Sequence, residues 1–370
     1  MAVRSCVLLP YCPLPVNTGA KAEMWRYLRL MRDLGPCRVV SARTRPVGAG
    51  WTPQAIGKFQ EDGFELRFRE DSRGRSVSQQ VGMAYAALFK GLKVDRAFGH
   101  SNPYHRYAFP ADWWQECLEG IDVAFINYGY WAWLPCSCRK VVHLHDLLSD
   151  YMWEGPARET AELSSADLVI VLSTNEEMIL RARGIRNLMW APPAVDPHEC
   201  PLTERIGLVG SGNLFNVEGL RWLRSARVVE PAVRVYGSLA DRATNVPFVP
   251  VGRYTDSYLP YEECGIILVT TAQGTGVQVK TIEALACARA IVARRGAMRG
   301  IPAGEGAWIE VETPQQMIAE AARLGRDADA RTRLAAKARE YYRRHLDSAA
   351  VNERLRTALA RESAAHGLPS

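Results

Sequence analysis

No stretch of this sequence approaches the ~18 consecutive apolar residues that a membrane-spanning helix needs, so a transmembrane chain is not expected. The opening residues, from Met1 to Pro10, lack the long apolar core of a secretory signal and read instead as a first strand. A cytoplasmic location is the expectation. The nine cysteines are scattered and odd in number, which argues against a disulfide framework. Cys136 and Cys138 form a C-x-C with no second cysteine or histidine pair at zinc-like spacing, so no metal site is expected there. The phosphate-cradling G-x-x-x-x-G-K-[ST] pattern, internal repeats and low-complexity segments are also missing. Charge of one sign is not concentrated anywhere. The net +6 is spread out, which favours acidic small partners such as nucleotides or phospholipid headgroups, and nucleic acid is not expected.

What is present is a soluble, globular composition, 48% hydrophobic and 23% charged over 370 residues, long enough for two domains. Apolar runs alternate with amphipathic stretches. The first half predicts strands at Cys6–Pro10, Arg38–Ser41, Phe64–Phe68, Val123–Asn127, Val141–Leu144 and Leu168–Leu172. It predicts helices at Ala20–Leu34, Ser76–Leu92, Trp113–Leu118 and Thr174–Ala182. The proline-rich "APPAVDPHECP" at 191–201 reads as a linker. Beyond it come strands Ile206–Val209, Val233–Tyr236, Val246–Val249, Ile266–Val269 and Ile291–Ala293. Helices are predicted at Val217–Arg224, at Val277–Ala288 and in the tail from Pro314. Alternating strands and helices mean parallel sheets covered on both faces. The expected architecture is α/β, with two Rossmann-like doubly wound domains facing across a cleft: residues 1–197, residues 198–345, and a helical tail at 346–370.

In such sheets ligands bind beyond the carboxyl ends of the strands, which directs attention to four loops. In "PYCPLPVNTGAKAE", Gly19 opens a helix whose first N–H groups suit an anion; Thr18 as a plain N-cap is the alternative. In "VVHLHDLLSDY", His143 is expected to face the sheet. His145 and Asp146 leave the strand's end and become candidates, although Asp146 as a helix cap stays open. "IGLVGSGNLFNVEGLRWL" begins like a dinucleotide-binding turn, but Phe215 replaces the third glycine and no acid closes the next strand. Gly210 and Ser211 with neighbouring N–H groups are the phosphate candidates, against a tight turn capped by Asn213 or Asn216.

"TTAQGTGVQVKTIEALACARAIVAR" lies between two apolar strands. Gly274, Thr275 and Gly276 can bring backbone amides against a diphosphate, Lys280 supplies a positive charge, and Glu283, one turn on, can accept ribose hydroxyls. An ordinary exposed Lys280–Glu283 ion pair is the competing reading, against which stands the small, apolar helix around it. The aromatic run at Tyr128, Tyr130, Trp131 and Trp133 is either a sugar platform or core. The single D-x-D, Asp327-Ala328-Asp329, reads as a solvated face.

Taken in order, "NTGAKAEMWRYLRLMRDLG", "VHLHD", "ADLVIVLSTNEEMIL", "PPAVD", "GLVGSGNLFNVEGLRWL" and "GTGVQVKTIEALACARAIVARRGAMRGI" resemble the group 1 family of GT-B glycosyltransferases, the retaining, nucleotide-sugar-dependent kind. The likeness covers nearly the whole chain. It implies a metal-independent enzyme without a resident cofactor, whose substrate is a nucleotide diphosphate sugar, with UDP and GDP the expected carriers. By that likeness Glu283 holds the ribose and Lys280 the departing diphosphate, with Gly210, Ser211 and Gly19 along the phosphate path. His145 contacts the transferred sugar. The acceptor, a glycan, lipid-linked sugar or small molecule, enters past Tyr128, Tyr130, Trp131, Asp146 and Arg106 (in the stretch Tyr104-His105-Arg106). Two positions depart from the family pattern. Thr275 stands where many members carry a second glutamate, and the loop "GSGNLFNVEG" lacks their Arg/Lys pair. More of the phosphate charge then falls on Lys280, with Arg253 or Arg295 as candidate helpers. A sugar-nucleotide epimerase on the same fold and a non-catalytic sugar-nucleotide binder remain the alternatives. The basic stretch Lys21–Arg32 leaves peripheral membrane contact open.

Overall fold

The structure, a computed structural model, describes residues 2–16, 18–42, 50–69, 109–147, 149, 155–227, 230–244, 247–274 and 276–360. The predicted helix Ser76–Leu92, the candidates Arg106 and Thr275, and the end of the tail lie outside them. The chain forms two compact units. The first takes residues 1–172, 176–191 and 353–370, and the second takes 173–175 and 192–352. The final helix, Ser348–Ala360, therefore starts among residues of the second unit and ends among those of the first. Among the described residues no helix is long and apolar enough to cross a membrane.

In the first unit the described strands are β1 (Ser5–Leu8), β2 (Cys37–Ala42), β3 (Glu65–Arg69), β4 (Val123–Asn127), β5 (Arg139–Leu144), β6 (Leu168–Val171) and β7 (Leu188–Trp190). They form one parallel sheet in the order β3-β2-β1-β4-β5-β6-β7. Central strands such as Ser5–Leu8 and Arg139–Leu144 are buried at every position, as a sheet covered on both faces requires. Helix α1 (Gly19–Leu34) starts behind Thr18, whose hydroxyl accepts the Lys21 N–H, and Met24, Tyr27, Leu28 and Met31 form its buried apolar side. Helices α2 (Pro53–Glu61), α3 (Ala111–Cys117), α4 (Pro156–Ser164) and α5 (Thr174–Ala182) complete the described set along this stretch.

The second unit has β8 (Ile206–Val209), β9 (Val233–Tyr236), β10 (Phe248–Gly252), β11 (Ile266–Val269), β12 (Ala290–Arg294) and β13 (Ile309–Val311). They too are parallel, in the order β10-β9-β8-β11-β12-β13. Its helices are α6 (Leu214–Arg224), α7 (Leu259–Glu263), α8 (Val279–Ala286), α9 (Pro314–Arg326) and α10 (Ala328–His345). The core gathers Leu208, Leu220, Val235, Leu268, Val292 and Met317, contributed by both sheet and helices.

Both sheets have a point where the chain, having built outward on one side of its first strand, returns to build on the other. It lies between β1 and β4 in the first unit and between β8 and β11 in the second. Helix dipoles and loop ends diverge there, leaving room for a ligand. This doubly wound pattern in both units is the predicted fold class.

Candidate functional site

At the second unit's switch point, strand β11 is followed by Thr270 and Thr271, and the glycine loop leads from there into α8. Gly274 and Gly276 have φ of 113° and 63°, a left-handed backbone that side chains resist, so the loop's shape depends on these two residues. Two side chains pin it. The Arg299 guanidinium donates to the Thr271 and Gln273 carbonyls, both at 2.8 Å, and the Gln278 amide donates to the carbonyls of Thr271 and Ala297, also at 2.8 Å. Gln278 is the N-cap of α8 but contributes no side-chain cap, because its amide is held elsewhere. The positive end of α8 thus opens onto the loop.

Lys280 occupies the second position of that helix. The residue is half-buried and its ammonium is turned inward, donating to Asn216 Oδ1 at 2.8 Å and Thr271 Oγ1 at 3.1 Å. Burial, reinforced by repulsion from Arg299 and opposed by Glu283, pushes its pKa down to about 7. Glu283 lies one turn on. Its Oε2 accepts the Tyr261 hydroxyl at 2.6 Å, and burial raises its pKa despite that bond and the nearby Lys280 charge. The two residues therefore do not form the exposed helical ion pair offered as the plain reading. Each is held by partners of its own, Lys280 by Asn216 and Thr271 and Glu283 by Tyr261.

The G-S-G turn after β8 behaves differently from expectation. The Gly210 N–H donates to the Tyr236 carbonyl at 3.1 Å, and the Gly212 N–H to Ser238 Oγ at 2.8 Å. The Gly210 N–H is therefore spent within the fold, and the residue serves as a spacer. A Cβ there would stand 3.0 Å from Leu239 and 3.2 Å from the Asn216 amide, so glycine lets that amide come close. Ser211 is exposed, and Asn216 Nδ2 reaches both its carbonyl and its hydroxyl, at 3.0 and 3.2 Å. Asn213, not Asn216, caps α6. The proposed helpers also change. Arg295 is engaged by Glu310 and Glu312, and Arg253 faces Asp241, whereas Arg299 is the arginine beside Lys280.

At the first unit's switch point the loop after β1 meets the end of β4 through a Tyr11–Tyr128 hydroxyl contact of 3.0 Å. Tyr128 holds φ 71°, ψ 139°, a conformation that costs a non-glycine residue ~1–3 kcal/mol. The strain aims its ring flat onto His145, with centroids 4.0 Å apart and planes 13° from parallel. His145 is nearly buried, and burial pushes its pKa to about 3; Nε2 has no hydrogen-bond partner among the described residues. Behind it His143, fully buried, contacts Asn127 Oδ1 at 3.2 Å, as a sheet-facing histidine should. Tyr130 lies 6.0 Å from Tyr128 and, like Asp146, is partly buried. Trp131 is fully buried and packs edge-on against Phe109, so the structure gives it to the core and not to an open platform. Gly19 opens α1 behind the Thr18 cap. Asp327 is itself an N-cap, of α10, and Asp329 is exposed beside it.

Sequence reading did not single out Asn216 as more than a cap, nor Thr271, Tyr261 or Arg299 at all. The only available signal was their position just before or after strand ends.

No family model matches the chain, and no curated protein matches it in sequence. Solved structures do match its backbone. HepE (Alr3699) of Anabaena, in complex with UDP, superposes with a TM-score of 0.65 at 12% identity, covering 97% of this chain and 100% of its own. The fold is that of the GT-B glycosyltransferases. A glycosyltransferase of Rickettsia africae gives 0.63 at 11% identity, with 98% and 100% covered. The sucrose-phosphate synthase of Thermosynechococcus elongatus gives 0.61 at 16%, with 96% and 98% covered. At such identities the likeness carries the fold and not the reaction.

Proposed function

We propose that this GT-B chain is a glycosyltransferase that moves a sugar from a nucleotide diphosphate sugar to a hydroxyl acceptor, with retention. The observation that carries the reading is Lys280, an inward-turned ammonium at the switch point of a Rossmann-like sheet, flanked by a glycine loop and by a carboxylate one helical turn away. A diphosphate suits the ammonium, the open end of α8 and the Ser211 hydroxyl. A ribose suits Glu283. HepE in complex with UDP supports the nucleotide class by likeness of fold.

In this mechanism the developing charge lies on the leaving diphosphate and on an oxocarbenium-like sugar. Lys280 and the α8 dipole stabilise the former; one well-placed donor is worth ~3–4 kcal/mol at the transition state. Gly274 and Gly276 shape the loop against the donor. Gly19 is assigned to the phosphate path, and the first unit's His145, Asp146, Tyr128 and Tyr130 to the transferred sugar and the acceptor. No metal is assigned, so EDTA should leave turnover intact.

The test has two stages. A thermal-shift panel of UDP, GDP, ADP, CDP and TDP should single out one base, with ~2.7 kcal/mol of stabilisation at a hundred times its Kd. The matching sugar nucleotide, offered with glycan, lipid-linked and small-molecule acceptors, should then release diphosphate and give a product of unchanged anomeric configuration by NMR. An epimer formed from donor alone would assign the site to epimerisation, and no binding by any member of the panel would end the transferase reading.

A further inference from the structure

The Asn216 amide is saturated. Its two N–H bonds go to the carbonyl and hydroxyl of Ser211, at 3.0 and 3.2 Å. Its oxygen accepts from Thr271 Oγ1 and from Lys280 Nζ, both at 2.8 Å. An amide has two donor hydrogens and two acceptor lone pairs, and all four are used here. The orientation is forced as well, because an ammonium can only donate, so the oxygen must face Lys280 and the nitrogen Ser211. The side chain is buried, and a flipped amide would leave unsatisfied groups that cost about 1–3 kcal/mol each.

The consequences fall on two donors. Of the three N–H bonds of Lys280, one goes to Asn216 and one to Thr271, which leaves the third for a ligand. The Ser211 hydroxyl accepts from Asn216, so its own proton is directed away, on an exposed residue. We infer that Asn216 is the positioning residue that joins Lys280 and Ser211 into one two-pronged donor for the diphosphate of the sugar nucleotide. The role rests on the transferase reading for its ligand, but not for its geometry. It also replaces something the turn lacks. With no Arg/Lys pair after β8, the turn recruits the α8 lysine through a neutral amide contributed by α6.

Double-mutant analysis and a pH profile test this. The nucleoside diphosphate singled out by the panel and inorganic pyrophosphate serve as probes. Ser211→Ala should weaken binding about tenfold in the parent and hardly at all in Asn216→Ala, because the hydroxyl is no longer aimed. Additive losses would overturn the inference. Asn216→Asp keeps the shape but places a carboxylate against the ammonium and against the Ser211 carbonyl. It should move the upper pH limit of binding upward by about one unit or more, and weaken binding at pH 6.5 about tenfold.

The Lys280 midpoint is also readable without ligand, by NMR of 13C,15N-labelled lysine side chains. The chain has seven lysines, and Lys280→Arg assigns the signal. A midpoint unmoved in Asn216→Asp overturns the inference. If it moves while the parent binds no nucleotide, the positioning geometry stands and the transferase reading falls.

Discussion

The depressed pKa of Lys280 makes donor affinity a function of pH, and the sign can be worked through. In the free protein the ammonium loses its proton near pH 7, because burial and Arg299 outweigh Glu283. A diphosphate restores an opposite charge, so the bound state holds the proton toward the ordinary value of 10.5. Binding above pH 7 must then take up a proton. With those two limits the Kd rises about fiftyfold from pH 7 to pH 9, with close to one proton bound at pH 8, and is nearly flat from 7 down to the phosphate's own titration around pH 6. Isothermal titration in buffers of different ionisation enthalpy reads affinity and proton uptake together. Lys280→Arg should flatten the pH curve while retaining part of the affinity, and Lys280→Met should flatten it at a much weaker level. The same shift affects stability. The unfolded chain keeps the proton up to 10.5, so the ligand-free protein gains stability as pH rises from 7 toward 10.5 and bears the full penalty of burying the charge below 7. A Kd constant within about twofold from pH 7 to 9, with no proton taken up, would refute the reasoning.

Three further outcomes are expected. Tyr261→Phe removes the 2.6 Å bond to Glu283 and should weaken nucleoside diphosphate binding about tenfold, more for ribose than for 2′-deoxyribose carriers; equal losses would count against Glu283 as the ribose acceptor. Arg289 is fully buried and donates to four carbonyls, those of Cys200, Pro201, Tyr261 and Cys287, so Arg289→Met should cost about 3–5 kcal/mol and lower the Tm by roughly 10 °C. A Tm within about 2 °C of the parent would show that these carbonyls find other donors. With His145 at a pKa of about 3, the rate profile between pH 5 and 9 should carry no limb that disappears in His145→Gln; a limb near the ordinary 6.5 lost in that variant would place the imidazole in a wetter setting.

Much of the second sheet was readable, although β10 runs Phe248–Gly252 where Val246–Val249 was expected and β13 was not foreseen. Ile206–Val209, Val233–Tyr236 and Ile266–Val269 are short β-branched runs bounded by breakers, and they are strands over those same residues. What escaped were elements with a weak period. Strand β7 has three residues, too few for any pattern. Helix α2 buries only Ala55 and Phe59, although Thr52 and Pro53 mark its start in the usual way. Helix α6 begins at Leu214, three residues earlier than its apolar face suggests, because Asn213 supplies the cap. At the site, Lys280 and Glu283 stood out because charges are rare in a small, apolar helix. Asn216, Thr271, Tyr261 and Arg299 did not, since polar residues at strand ends and helix starts are common and only the tertiary fold brings them together. Gly210 has a role that the sequence does not show for a related reason. A glycine after a strand reads as space for a phosphate, and here the space is taken by an amide.

The two switch points differ in charge, and the difference matches what each must tolerate. In the second unit burial and Arg299 poise the ammonium near neutrality, and in the proposed reaction an arriving diphosphate would restore its charge. In the first unit three rings at the switch point, those of Tyr11, Tyr128 and His145, are held uncharged. Burial keeps His145 as neutral imidazole, and burial raises the pKa of both Tyr11 and Tyr128. An imidazolium beside an oxocarbenium-like sugar would repel the charge forming there, whereas a neutral ring stacked on a tyrosine face does not. The left-handed backbone of Tyr128 fits the same account, since it lays that aromatic face against His145. A variant that wets this cluster without removing the imidazole, such as Tyr128→Gly, should raise the pKa of His145 toward 6.5 and make turnover fall as the imidazole becomes charged. Turnover that instead stays level through that titration would mean the sugar's developing charge lies elsewhere.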